Sequence, residues 1–284
     1  ALPGHQAISG TCVPASTVSP FRPRTYRSPK RDTVRLSVPL LTRCGKGGHR
    51  PNIVLIMADD FGYECVSANG GLSYRTPNLD RVAQEGVRFT HCYATPLCTP
   101  SRVQIMTGKY NFRNYTDFGS LRPGEKTFAH LLRGAGYCTC VVGKWQLAGR
   151  VRGAHYRGEG TLPEEAGFDE HCLWQVRVRG SRYWDPTVQR NGEVLGPIEG
   201  RYGPDIFAEY ALDFIRRNTD RPFFLYYPMV LTHAPFRPTP DSPDWPSNKG
   251  ANDPRYFADM VAYADKIVGR ILDLLRELRL DQNT

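Results

Sequence analysis

An α/β fold with a mainly parallel sheet flanked by helices is what this sequence predicts, from three observations. The run NIVLIMADD (52–60) is continuously apolar and stops at two carboxylates, as a strand buried on both faces does. The runs YCTCVVGK (137–144) and PFFLYYPMV (222–230) repeat that pattern. Between these runs lie stretches with a helical rather than an alternating apolar period.

The elements follow in order. TPNLDRVAQEG (76–86) predicts a helix capped by Thr76, with Pro77 at its first position and Gly86 as its stop. VRFTHCYA (87–94) alternates and predicts a returning strand, which would close a βαβ unit. LCTPSRVQIMTGK (97–109) opens a second helix near Pro100, and KTFAHLLRGAG (126–136) a third that ends at Gly134 and Gly136. In YCTCVVGK, Cys138 and Cys140 face the same side and read as core. Residues 149–203 are rich in Gly, Arg and turns and read as an insertion, with Asn191-Gly192 in QRNGEVL marking a hairpin. PDIFAEYALDFIRRN (204–218) is an amphipathic helix, and 237–253 a Pro-rich surface loop. The last helix starts at Asp253 and Pro254, its apolar positions running from Phe257 through Met260, Ala264, Ile267 and Ile271 to Leu278.

Composition narrows the function. The net charge of +9 invites a nucleic-acid reading, but of 37 basic and 28 acidic residues nine and one fall in 1–50. The rest of the chain is close to neutral, and no nucleic-acid partner is expected from it. Residues 1–50 read as a basic, Pro/Ser/Thr-rich disordered leader and not as a clean signal peptide. No apolar run approaches the length of a transmembrane helix. The eight cysteines are scattered, without the paired spacing of a zinc site or disulfide framework.

In open α/β sheets, ligands sit beyond the carboxyl ends of the parallel strands. Polar residues cluster at these ends: Asp59 and Asp60, Cys98 at a helix start, Lys144, and His233. Adjacent carboxylates repel unless a cation or proton lies between them, so Asp59 and Asp60 suggest a metal such as Ca²⁺. Taken singly, Lys144 reads as a solvated strand-end lysine, His233 as a loop histidine and Cys98 as a small core residue. Their recurrence at successive strand ends favours a site.

Residues 51–284 resemble the N-terminal portion of a type I sulfatase, arylsulfatase A-like, of the alkaline-phosphatase-like superfamily. NIVLIMADDFG resembles the metal-binding strand of that family, CTPSR (98–102) its C-x-P-S-R modification motif, GKW (143–145) its G-K-W segment and THAPF (232–236) its histidine segment. The resemblance implies that Cys98 is oxidised to formylglycine by a formylglycine-generating or anaerobic sulfatase-maturating enzyme. One hydroxyl of the aldehyde hydrate would attack sulfur and the other later expel sulfate. It further implies that Asp59, Asp60 and residue 98 bind Ca²⁺, that Arg102 steadies the hydrate, and that Lys144 and His233 hold sulfate and assist the leaving alcohol. A sulfated small molecule or glycan would be the substrate, and the location extracytoplasmic.

Two departures from the family pattern stand out. The pattern reads G-K-W-H, but here Gln146 holds the histidine's place, and glutamine hydrogen-bonds without taking a proton. The pattern also continues into a strand ending in Asp-Asn, then a lysine; no Asp-Asn dipeptide occurs here. The chain therefore reads as lacking the C-terminal part of the fold and as incomplete for activity. The alternatives are a non-catalytic sulfatase-like fragment, or a phosphoesterase of the same superfamily, which CTPSR disfavours.

Overall fold

The computed structural model describes residues 50–284; apart from Arg50, the leader expected at 1–50 lies outside them. Six strands form one sheet in the order β1-β6-β2-β3-β4-β5. They are β1 (Ile53–Met57), β2 (Cys138–Lys144), β3 (Glu170–Trp174), β4 (Val188–Arg190), β5 (Glu193–Leu195) and β6 (Phe223–Pro228). β1, β6, β2 and β3 run parallel, whereas β4 and β5 add on antiparallel. The mixed α/β architecture with a mostly parallel sheet is the one the apolar runs predict.

The helices are α1 (Pro77–Glu85), α2 (Cys98–Thr107), α3 (Phe128–Gly134), α4 (Gly203–Arg217), α5 (Trp245–Asn248) and α6 (Phe257–Glu277). β6 shows why its sequence is apolar throughout. Phe223, Leu225 and Tyr227 pack toward α4 and α6, while Phe224 and Tyr226 pack with Val103 of α2 and Ala129 of α3. Each fully buried side chain of this size contributes about 1.5–3 kcal/mol. Cys140 lies in the α4 and α6 layer with Cys138 packed against it, so both face one side. The Asn191-Gly192 turn has φ 46° and 91°, as a two-residue hairpin between β4 and β5 requires.

Two local expectations are corrected. Residues 87–94 form no strand: Val87, Phe89 and Tyr93 are 80%, 75% and 87% exposed, so their alternation buries nothing, and β1 takes its parallel neighbour from β6. Thr76 does not cap α1 with its hydroxyl, which accepts instead from Ser67 N. The cap comes from α6, where Asp265 accepts from the N–H groups of Asn78 (3.2 Å) and Leu79 (2.8 Å). The stretch 149–203, read as an insertion, supplies β3, β4 and β5, with β3 pairing parallel to β2 along its length.

Because β1, β6, β2 and β3 are parallel, their carboxyl ends share one edge. Gly143 is needed where β2 reaches that edge. Its φ is +109°, and a Cβ there would stand 2.1 Å from the Pro228 carbonyl oxygen. Only glycine lets β2 pass so close to the end of β6 and deliver Lys144 beyond it.

Candidate active site

Cys98 is the first residue of α2, and the CTPSR sequence explains the turn that places it there. The Ser101 hydroxyl lies 2.9 Å from the carbonyl oxygens of both Thr95 and Leu97, tying the helix start to the preceding loop. Pro100 falls in the first turn, where no intrahelical N–H bond is lost. Thr99 Oγ1 accepts from Gly119 N at 3.1 Å, fixing the neighbouring loop. The residue before Cys98 is Leu97, which caps nothing. The first-turn N–H groups therefore face residue 98 with the positive end of the helix dipole.

Asp59 and His233 come together because the β1–β6 ladder continues past both strands. Asp59 N donates to Leu231 O (2.8 Å) and Thr232 N to Asp59 O (2.6 Å). The Asp59 carboxylate is 2% exposed and meets three cations. Lys144 Nζ donates to Oδ2 at 2.6 Å, Arg102 Nη2 lies 3.5 Å from Oδ1, and Arg182 Nη1 lies 3.9 Å from Oδ2. Arg102 is held in turn by donating to the Lys144 carbonyl at 2.7 Å. Arg182 rests its guanidinium 4.1 Å over the Trp174 ring.

Burial pushes the Asp59 carboxyl up, but Lys144 and Arg102 beside it hold it below the ordinary value. Burial first, then Arg102, bring Lys144 below the usual lysine range against the pull of Asp59. A lysine so lowered gives up its proton more readily. Three buried cations around one carboxylate leave positive charge in excess, and Arg102 Nε and Nη2 and Arg182 Nη1 have no hydrogen-bond partner. Buried unpaired cations are costly unless an anion joins them. The donor set suits an oxyanion such as sulfate.

Asp60 has φ 52°, and its side chain is 60% exposed with Oδ2 3.5 Å from His233 Nε2. His233 Nδ1 lies 2.7 Å from the Ala234 carbonyl, which can only accept, so Nδ1 carries a proton and Nε2 is the exchanging nitrogen. Gln146 Oε1 stands 3.3 Å from Cys98 Sγ, and Gln146 Nε2 donates to the Tyr156 hydroxyl. Cys98, Arg102, Lys144, Gln146, Asp59 and His233 thus gather at one sheet edge, with Asp60 at its rim.

Among the described residues no group of three or more His, Cys, Asp or Glu side chains comes together to hold a metal. Ca²⁺ takes six to eight oxygens. Asp60 is largely exposed, and Asp59 is already engaged by three cations. The described residues alone do not fit a Ca²⁺ site, and no step below runs through one. Arg182 and Tyr156 are site residues that the sequence did not reveal. Both sit in turn-rich 149–203, where no motif marks them. Tyr183 and Trp184, from the same stretch, are 1% and 6% exposed and belong to the core.

The α/β fold is of the alkaline-phosphatase-like class, with polar and charged side chains gathered at the ends of its parallel strands. The sulfatase family model matches residues 51–284. The chain is 35% identical over 195 residues to N-acetylglucosamine-6-O-sulfatase of Bacteroides thetaiotaomicron, covering 67% of this chain and 32% of that one. It is 34% identical over 266 residues to N-acetylgalactosamine-6-sulfatase of Homo sapiens, covering 82% and 48%. The crystal structure of Ps i-CgsB superposes with a TM-score of 0.70 at 26% identity, covering 83% of this chain and 57% of that one. The chain belongs to the sulfatase family, and it spans about half or less of the length of these curated relatives.

Proposed function

We propose that this chain carries the nucleophile and most of the sulfate-binding side chains of an enzyme that hydrolyses sulfate esters of sugars. The observation that carries the reading is Cys98 at the start of α2, beside Gln146 and the cation group Arg102, Lys144 and Arg182. The names of the two curated relatives point to a 6-O-sulfated N-acetylhexosamine as substrate. Residue 98 would be converted to formylglycine by a formylglycine-generating or anaerobic sulfatase-maturating enzyme, in an extracytoplasmic protein. No helix among the described residues is long and apolar enough to cross a membrane.

Formylglycine hydrate supplies the hydroxyl that attacks sulfur and the one that expels sulfate. The chain's own residues do the rest. The N–H groups at the start of α2 and the unpaired nitrogens of Arg102 and Arg182 hold anionic oxygen. Lys144, with its lowered proton affinity, and His233, through Nε2, pass a proton to the departing sugar oxygen. Gln146 accepts a hydrogen bond from residue 98 and moves no proton. The test is incubation of a full-length version of the protein, matured at Cys98, with N-acetylglucosamine 6-sulfate, N-acetylgalactosamine 6-sulfate and the matching 6-phosphates. Sulfate release with intact phosphates is expected; phosphate release alone would restore the phosphoesterase reading.

In a full-length version, Gln146→His is expected to raise kcat about tenfold, or to shift the pH optimum, with KM within about threefold, because imidazole restores a titrating group beside residue 98. Equal loss of kcat and affinity would show dependence on the amide itself.

Ca²⁺ enters this proposal as the family's metal, with Asp59 and Asp60 as two of its donors. That partial set should bind weakly. At a dissociation constant near the ligand concentration, binding contributes only about 0.4 kcal/mol. Millimolar CaCl₂ should therefore move the Tm of the 284-residue chain by less than about 2 °C. A shift several times larger would show that further oxygen donors complete the site.

A further inference from the structure

Beyond Gln146 the site continues into a pair of aromatic rings. Gln146 lies between Cys98, whose Sγ is 3.3 Å from its Oε1, and the Tyr156 hydroxyl, which is hydrogen-bonded to its Nε2. The Tyr156 ring leads from that amide to Phe118, with ring centroids 5.7 Å apart and planes tilted by 59°. Phe118 is 37% exposed, so the pair is open to solvent on that side. We propose that Phe118 and Tyr156 form a corner that seats the pyranose ring of the sugar sulfate, with the Asp117 carboxylate accepting from a sugar hydroxyl or amide N–H. This inference rests on the site reading above, and it deepens that reading by separating the residues that hold the sugar from those that hold sulfate.

The two loops that carry the rings are locked to each other and to α2. Isolated bridges join Ser120 to Ala148 and Gly149 to Glu159. At Gly119 φ is +84°, and a Cβ would come within 2.7 Å of the Tyr156 ring, so glycine is needed both for the turn and for the tyrosine's seat. A Cβ at Gly158 would stand 2.6 Å from Asp117 Oδ2, which places the carboxylate against the loop that carries Tyr156. Gly119 N donates to Thr99 Oγ1 at 3.1 Å, and Thr99 is the neighbour of Cys98. The corner is therefore fixed relative to residue 98. Aromatic rings held in place before a ligand arrives lose little freedom when it binds, so the surface they cover contributes to affinity.

A pyranose has apolar C–H faces and a polar rim, which suits an aromatic face with a hydrogen-bonding group at its side. In a hexosamine 6-sulfate the sulfur is joined to the ring through O6 and C6. With the sulfur at residue 98, that link carries the ring past Gln146 to where Tyr156 and Phe118 stand. Inorganic sulfate has no ring and reaches only the cation group and the start of α2. Phenyl sulfate has a ring but no hydroxyl or amide to donate to Asp117. The three anions thus separate the cation group, the aromatic corner and the carboxylate.

The experiment is a set of protein-observed NMR titrations of the 284-residue chain with N-acetylglucosamine 6-sulfate, sodium sulfate and phenyl sulfate, whose spectra also show that each variant is folded. The parent is expected to bind the sugar sulfate at least about threefold more tightly than inorganic sulfate, from the stacking contribution of one aromatic corner. Phe118→Leu keeps an apolar side chain against Tyr156 but has no ring. It should weaken the sugar sulfate roughly two- to tenfold and leave inorganic sulfate within about 1.5-fold, while Phe118→Tyr keeps the parent's values. Asp117→Ala should weaken the sugar sulfate by about two- to tenfold, the range one hydrogen bond covers, with phenyl sulfate unchanged. The proposal is overturned by a parent without preference for the sugar sulfate, by equal losses for sugar sulfate and inorganic sulfate in Phe118→Leu, by no loss in either variant, or by an Asp117→Ala effect shared with phenyl sulfate. Inorganic sulfate that fails to bind, with the Phe118 and Asp117 effects intact, would count against the cation group and leave the sugar corner supported.

Discussion

Cys98→Ala is expected to abolish turnover of a chromogenic aryl sulfate, by at least about a thousandfold, in a full-length version of the protein co-expressed with a formylglycine-generating enzyme. The fold should survive. Cys98 is only partly buried at a helix start, and the turn is held by Ser101 and Thr99, so the melting temperature should stay within about 2 °C of the parent. Intact mass gives an independent check, because conversion exchanges sulfur for oxygen and removes two hydrogens at this residue. Turnover unchanged in the alanine variant would sink the assignment of the nucleophile. Cys98→Ser sharpens the test: a serine that kept most of the activity would show that no aldehyde hydrate is needed.

Asp59→Asn should cause the largest loss of stability among the site residues. The substitution keeps the shape but removes the single negative charge facing Lys144, Arg102 and Arg182, all buried. Removing one partner from a buried ionic group costs about 3–5 kcal/mol. For a domain of this size that corresponds to a Tm lower by roughly 6–20 °C. Lys144→Met should cost less, since Asp59 keeps two guanidinium partners.

The pH dependence has a definite sign. The Asp59 carboxyl is held below its ordinary value, so its stabilisation is complete above the unfolded-state pKa of about 4 and is lost as pH falls through the folded value. The parent's advantage over Asp59→Asn should therefore be full at neutral pH and shrink below about pH 4. A constant difference across that range would show that packing, and not charge, sets the effect.

The sequence alone determined the elements whose signal is local. The buried strands β1, β2 and β6 were legible because a strand covered on both faces must be apolar along its whole length. The hairpin turn was legible because Asn-Gly suits two successive left-handed residues. Cys98, Arg102, Lys144 and His233 were legible as candidates because each stands in a short motif beside a strand end or a helix start.

Other features depended on partners distant in the chain, and only the tertiary structure decided them. Residues 87–94 alternate as a strand does, yet pair with nothing, since pairing needs an open edge in register as well as a pattern. Asp265 caps a helix 187 residues away from it, and no local rule selects such a donor. Asp59 and Asp60 read as one metal-binding pair, and only the tertiary structure shows three cations from α2, β2 and the 149–203 stretch converging on Asp59. Arg182 and Tyr156 entered the site from that same turn-rich stretch. Their roles arise from the close approach of β3 to β2 and of Gly119 to the Tyr156 ring, contacts set by three-dimensional packing and carried by no spacing in the sequence.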